Sequence, residues 1–109
     1  MLSKINRLTK ERDFEEVFKN GKTIRGDFLV LKVLKNNFKN SRFGFVISKK
    51  VSNKATIRNK IKRRLRNVIL KEIKNIEKSV DIIIIALPKI KEKEFLEIKE
   101  MVSNILKKI

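Results

Sequence analysis

Residues Val80 to Leu87 read V-D-I-I-I-I-A-L and stop at Pro88. An apolar run of this length, rich in β-branched side chains and closed by proline, is the pattern of a strand covered on both faces. Such a strand needs a layer packed on each side, so the rest of the chain must supply helices as well as neighbouring strands. A long helix is expected just before it, from Thr56 to Lys74 or on to Lys78, with Thr56 as its cap. Ile57, Ile61, Leu65, Val68, Ile69, Ile73 and Ile76 form a stripe at helical spacing. A helix feeding a buried strand implies a crossover and a mixed sheet with helices on it.

The remaining elements fit one unit spanning residues 1–109, with no repeat, linker or low-complexity tract. Thr9 to Asn20 predicts a short helix. Thr9 would cap it, Glu11 and Asp13 suit its first turn, and Gly21 would take the left-handed position after it. Phe14, Val17 and Phe18 share one of its faces. Asp27 to Leu34 predicts a strand, with Phe28, Val30, Lys32 and Leu34 on one side and Leu29, Leu31 and Val33 on the other. Asn36 to Ser41 has the chemistry of a hairpin loop. Arg42 to Ser48 would be the second arm, with Phe43, Phe45 and Ile47 facing away from Gly44 and Val46. Lys49 to Ala55 reads as a basic loop, and Lys91 to Lys107 as a final helix burying Phe95, Ile98, Val102, Ile105 and Ile109. The order is helix, hairpin, helix, strand, helix: an α+β single domain with a small mixed sheet.

Charge narrows the function. The chain carries a net charge of +17. Between Asp27 and Glu72 there is no acidic residue, while Phe28 to Lys71 holds 14 basic ones. A one-sign field of this size concentrates polyanions and strains the fold through self-repulsion. Nucleic acid is the first partner to consider and an anionic membrane surface the second. Lys outnumbers Arg 21 to 8, yet four of the eight Arg fall between Arg58 and Arg66. Arginine grips phosphate with a planar fork, which lysine cannot do. The bland alternative is a basic solvated helix face.

What is missing excludes whole classes. There is no Cys and no His, so thiolate nucleophiles, disulfide scaffolds, imidazole bases and HExxH zinc sites are ruled out. A carboxylate–Mg²⁺ nuclease stays open. No segment has the roughly 18–20 apolar residues of a membrane helix, and Met1 to Arg12 lacks the apolar run of a secretory signal. A soluble, cytoplasmic protein is expected.

The informative segment is Ser48 to Asn67, SKKVSNKATIRNKIKRRLRN. It leaves a strand, crosses a basic loop and enters a basic helix. Free N–H groups and the positive end of the helix dipole would lie beside Arg58 and Asn59, a geometry suited to phosphates. On the face opposite the apolar stripe stand Asn59, Lys60, Arg63, Arg66, Asn67 and Lys74, with Arg58 and Lys62 on its flank.

This segment resembles the protein subunit of bacterial ribonuclease P, whose pattern runs close to SKKVGxAVxRNRIKRRLRE. The resemblance extends to Arg7-Leu8, Asp13-Phe14, Val17-Phe18 and Gly21 at the start, and to the Ile-rich strand ending at Pro88. It implies the order α-β-β-β-α-β-α with a left-handed crossover, against the usual hand. The third strand would come from Lys22 to Arg25. It also implies a ribonucleoprotein that matures the 5′ end of precursor tRNA, with Mg²⁺ held mainly by a catalytic RNA and one protein per RNA. Lys49, Lys50, Asn53, Arg58, Asn59, Lys62, Arg63 and Arg66 would then face that RNA. Phe14, Phe18 and Lys32 would line a cleft for the precursor's unpaired 5′ leader, where Lys32 replaces a frequent aromatic. Ser52 stands where the family has Gly. Without the resemblance, Phe14 and Phe18 read as core, Asp81 as structural, and Glu11, Asp13, Glu15 and Glu16 as a solvated face. A ribosomal or other structural RNA-binding protein is the alternative function.

Overall fold

The computed structural model describes residues 3–76 and 79–109. After a 3₁₀ turn at Lys4–Asn6 come α1 (Glu11–Asn20), β1 (Lys22–Arg25), β2 (Leu29–Lys35), β3 (Arg42–Val46), α2 (Ala55–Glu72), β4 (Val80–Ala86) and α3 (Phe95–Leu106). The sequence of elements is the α-β-β-β-α-β-α expected from the resemblance.

The sheet runs β1-β2-β4-β3. β1 pairs antiparallel with β2, β2 antiparallel with β4, and β3 parallel with β4. The isoleucine strand therefore sits inside the sheet, and its buried side chains point to both faces. This overturns the expected hairpin between residues 27–34 and 42–48. β2 and β3 never pair, because β4 is inserted between them. The real hairpin is β1–β2, whose tight return is made by the N–H of Gly26 on the carbonyl of Leu29, 2.7 Å. A turn-rich loop such as Asn36–Ser41 brings two strands back toward one edge, but it does not decide whether they touch.

Each face of the sheet has its own apolar cluster. Leu29, Leu31, Phe43, Ile82 and Ile84 pack beneath α2 and α3, against Ile61, Leu65, Val68, Ile69, Ile98, Val102 and Ile105. Leu8, Val17 and Ile83 form the smaller cluster under α1, with Phe14, Leu34, Val46 and Ile85 around them. Alternation along β3 holds as expected, Phe43 and Phe45 facing opposite to Val46. Phe28 departs from its expected side: it joins the cluster of Leu29 and Leu31, because it precedes the strand proper.

Helix boundaries shift at their ends. α1 begins at Glu11 with Lys10 as its cap, so Thr9 does not cap it. α2 begins at Ala55 with Lys54 as its cap, so Thr56 lies inside the helix. It ends at Glu72 and passes into a 3₁₀ turn at Ile73–Asn75; the longer alternative, to Lys78, reaches outside the described residues. α3 starts only at Phe95, after a 3₁₀ turn at Pro88–Glu92.

Gly21 is not left-handed: its φ is −76° and ψ 153°. Glycine is needed there for another reason. A Cβ would collide with the backbone oxygen of Val17, which already accepts the Gly21 N–H at 2.8 Å. Among the described residues, no helix is long and apolar enough to cross a membrane.

Candidate nucleic-acid interface

The basic helix is presented by its own buried stripe. Ile61, Leu65, Val68 and Ile69 are fixed in the core. The 3.6-residue repeat then turns Asn59, Lys60, Arg63 and Asn67 to solvent, with Arg58, Lys62, Arg64 and Arg66 half-buried along the flanks. Asn59, Lys62, Arg63, Arg66 and Asn67 line one open depression. The helix has no acidic residue in its first turn and no side-chain cap, so the positive end of its dipole is not neutralised locally.

The loop before the helix is anchored from within. Val51 is buried in the core. Arg58 donates from Nη1 to the carbonyl of Ser52, 2.9 Å, and so ties the first turn back to the loop. Ser52 Oγ accepts the Lys54 N–H at 3.2 Å, and no non-glycine residue among those described has positive φ. Serine therefore replaces the family's glycine here without backbone strain. Lys49, Lys50 and Asn53 are exposed on this loop. With one donor committed to Ser52, Arg58 serves the loop's shape as well as offering charge.

A second depression, of about 130 Å³, opens beside α1. It is lined by Arg7, Leu8, Thr9, Phe14, Phe43, Gly44, Phe45, Lys62 and Arg66. Lys62 and Arg66 belong to both hollows. The fold thus brings Phe14 of the first helix and the flank of the basic helix to one hollow, and places aromatic side chains beside basic ones. Phe18 and Lys32 do not line this hollow. Phe18 is 43% exposed on α1. Lys32 is opposite Ile83 in the register, hence on the α1 side of the sheet, and its Nζ donates to Thr23 Oγ1 at 2.6 Å. Arg7 and Thr9 were not expected at this site. They reach it because the segment before α1 adds to the sheet: Arg7 bridges to Phe43 in parallel fashion, and Leu8 N–H meets the Phe43 carbonyl at 2.8 Å. A readable signal was Gly44, since glycine inside a strand marks close approach by another group.

The wall of the hollow is clamped by an ion network. Arg42 lies across Asp81, Nε to Oδ1 at 2.9 Å and Nη2 to Oδ2 at 2.6 Å. Its third nitrogen, Nη1, reaches Asp13 Oδ2 on α1 at 3.2 Å. Asn36 Nδ2 donates to Asp81 Oδ1 at 2.7 Å. The hydrogen bond to Asp81 raises the Arg42 pKa above its ordinary value, and the charges of Asp81 and Asp13 add to it against the opposing cost of burial. Asp81 is structural, as its position predicted, and Asp13 is drawn out of the solvated face into this clamp. Among the described residues no three acidic side chains gather as a metal site.

This architecture has close counterparts. The family described as Ribonuclease P matches residues 2–109. The ribonuclease P protein component of Caldanaerobacter subterraneus subsp. tengcongensis is 33% identical over 108 residues, covering 99% of this chain and 92% of that one. The solved ribonuclease P protein of Thermotoga maritima superposes with a TM-score of 0.87 at 36% identity, over 94% of this chain and 96% of its own. That of Staphylococcus aureus gives 0.85 at 31%, over 94% and 93%. Whole-length matches in both sequence and fold leave one assignment: the chain belongs to the ribonuclease P protein family.

Proposed function

We propose that this chain works as the RNA-binding subunit of ribonuclease P, gripping the catalytic RNA with α2 and its loop and guiding the 5′ leader of precursor tRNA past α1. The observation that carries this is the sharing of Lys62 and Arg66 by the two hollows. One continuous basic surface then offers a forked phosphate grip on one side and an aromatic wall on the other, the combination single strands favour.

In this reading Lys49, Lys50, Asn53, Arg58, Asn59 and Arg63 neutralise and orient the RNA subunit's phosphates. Phe14 and Phe18 offer ring faces to unpaired leader bases, and Lys32 places a charge near the same path. The chain's own part is to bind, neutralise and position. Its acids do not fit a Mg²⁺ site: Asp13 and Asp81 already share Arg42, and no other cluster forms among the described residues. Mg²⁺ would be held by the RNA and would supply the activated hydroxide at the scissile phosphodiester. One protein per RNA and a cytoplasmic location complete the reading.

The test is cleavage of labelled precursor tRNA at low, near-physiological Mg²⁺ with protein alone, a bacterial ribonuclease P RNA alone, and both. Efficient cutting at the mature 5′ end only in the mixture supports the proposal. No gain from folded protein with a compatible RNA overturns it in favour of a structural RNA-binding role, and cleavage by protein alone points to a stand-alone nuclease.

A further inference from the structure

Phe38 is a large apolar side chain left in water. It sits in the β2–β3 loop, is 59% exposed, and belongs to neither apolar cluster. Its exposure leaves much of the ring open to a partner.

The loop around this ring is tied by its own hydrogen bonds. Asn36 Oδ1 accepts the Phe38 N–H at 3.0 Å, an Asx turn, and Asn36 Nδ2 reaches the Asn40 carbonyl at 3.3 Å and Asp81 Oδ1 at 2.7 Å. The Arg42 guanidinium lies over one face of the ring, 4.5 Å from its centroid. Arg42 in turn is locked by Asp81 and Asp13. One face of the ring is backed by a fixed cation and the exposed remainder faces solvent. Lys35 and Lys39, both exposed, flank it in sequence. The acids that reach the network, Asp13 and Asp81, are spent on Arg42.

We propose that Phe38 is a stacking platform for one unpaired RNA base, with Lys35 and Lys39 meeting the phosphates on either side of it. The proposal rests on the reading that the partner is RNA, and it adds a stacking position in the β2–β3 loop, outside the hollow that Phe14 lines. A pre-ordered ring loses little entropy on binding, which is what a stacking site requires. The surroundings favour a nucleotide over an apolar protein surface, because Arg42 lies over the ring, exposed Lys35 and Lys39 flank it in sequence, and Asp13 and Asp81 are already paired with Arg42.

The chain has no Trp and no Tyr, so Phe38→Trp introduces a single indole reporter. Its fluorescence is titrated with an unstructured ten-residue oligouridylate and, at equal charge and salt, with inorganic polyphosphate. Saturable quenching by the RNA and none by polyphosphate is expected. In parallel, Phe38→Leu, which keeps an apolar side chain but removes the ring, should bind labelled oligouridylate about tenfold more weakly than wild type by anisotropy, with an unchanged circular dichroism melt. Equal quenching by both polyanions, or wild-type affinity in Phe38→Leu, overturns the platform. Stimulation of ribonuclease P RNA by the wild-type protein is measured with the same preparations. Loss of the platform therefore reads differently from loss of the parent function, which would show as no stimulation by the wild-type protein.

Discussion

Gly44 exists to make room for Phe14: a Cβ on Gly44 would stand 2.5 Å from Cζ and 2.7 Å from Cε1 of that ring. Phe14 rests directly on the β3 backbone, and α1 is held at that height above the sheet. Gly44→Ala should push the ring outward and destabilise the fold by about 1–3 kcal/mol. Urea denaturation checks this, and adding Phe14→Leu should recover part of the loss. If the single variant is as stable as wild type, the ring is not seated as described.

The Arg42 clamp should be strongly asymmetric. The Asp81 side chain is 6% exposed and Asp13 22%. Arg42→Ala leaves the Asp81 carboxylate buried without its cation, a change worth about 3 kcal/mol. Asp13→Asn removes a wetter contact and should cost about 1 kcal/mol or less. Because the Arg42 pKa is raised, its contribution is fully present below the ordinary arginine range and is lost only as pH climbs through the raised value. The arginine therefore stays charged across the whole practical pH range. Denaturation midpoints for the two variants, at one pH, give the ratio.

Salt dependence should separate two arginines on the same helix. Arg63 is exposed and has only solvent to satisfy in the unbound chain, so Arg63→Ala should weaken binding to ribonuclease P RNA several-fold and lower the slope of log K against log salt by about 1, with no change in melting. Arg58 also holds the Ser52 carbonyl at 2.9 Å. Arg58→Ala should weaken binding and also reduce stability by about 1 kcal/mol. Identical behaviour of the two would remove the loop-anchoring role given to Arg58.

Phe18 tests the leader path. Its 43% exposure leaves much of the ring free to meet a base. Phe18→Ala should lower affinity for a long-leader precursor by about fivefold, the low end of base–aromatic stacking, while leaderless tRNA binds as before. Equal loss for both substrates would mean the ring serves packing instead.

Much of this molecule could be read along the chain. The apolar stripe of α2, the two-faced burial of β4 and the acid-free basic window are periodic or compositional facts, and each reached the structure nearly unchanged. They survive because the property each predicts, which side is buried or charged, depends on neighbours a few residues away. Sheet order behaved differently. Nothing local to Asn36–Ser41 tells the chain that β4, far along the sequence, will displace β3 from β2; burying Ile82, Ile83 and Ile84 in the middle of the sheet decides it. The same holds for the cleft. Phe14, Lys62 and Arg66 are each conspicuous in the sequence, but their meeting depends on α1 lying over Gly44, on Arg7 joining the sheet beside Phe43, and on Arg42 tying Asp13 to Asp81. Those contacts span tens of residues. Their free energy comes from closing a packed three-layer structure, so no window of sequence contains them.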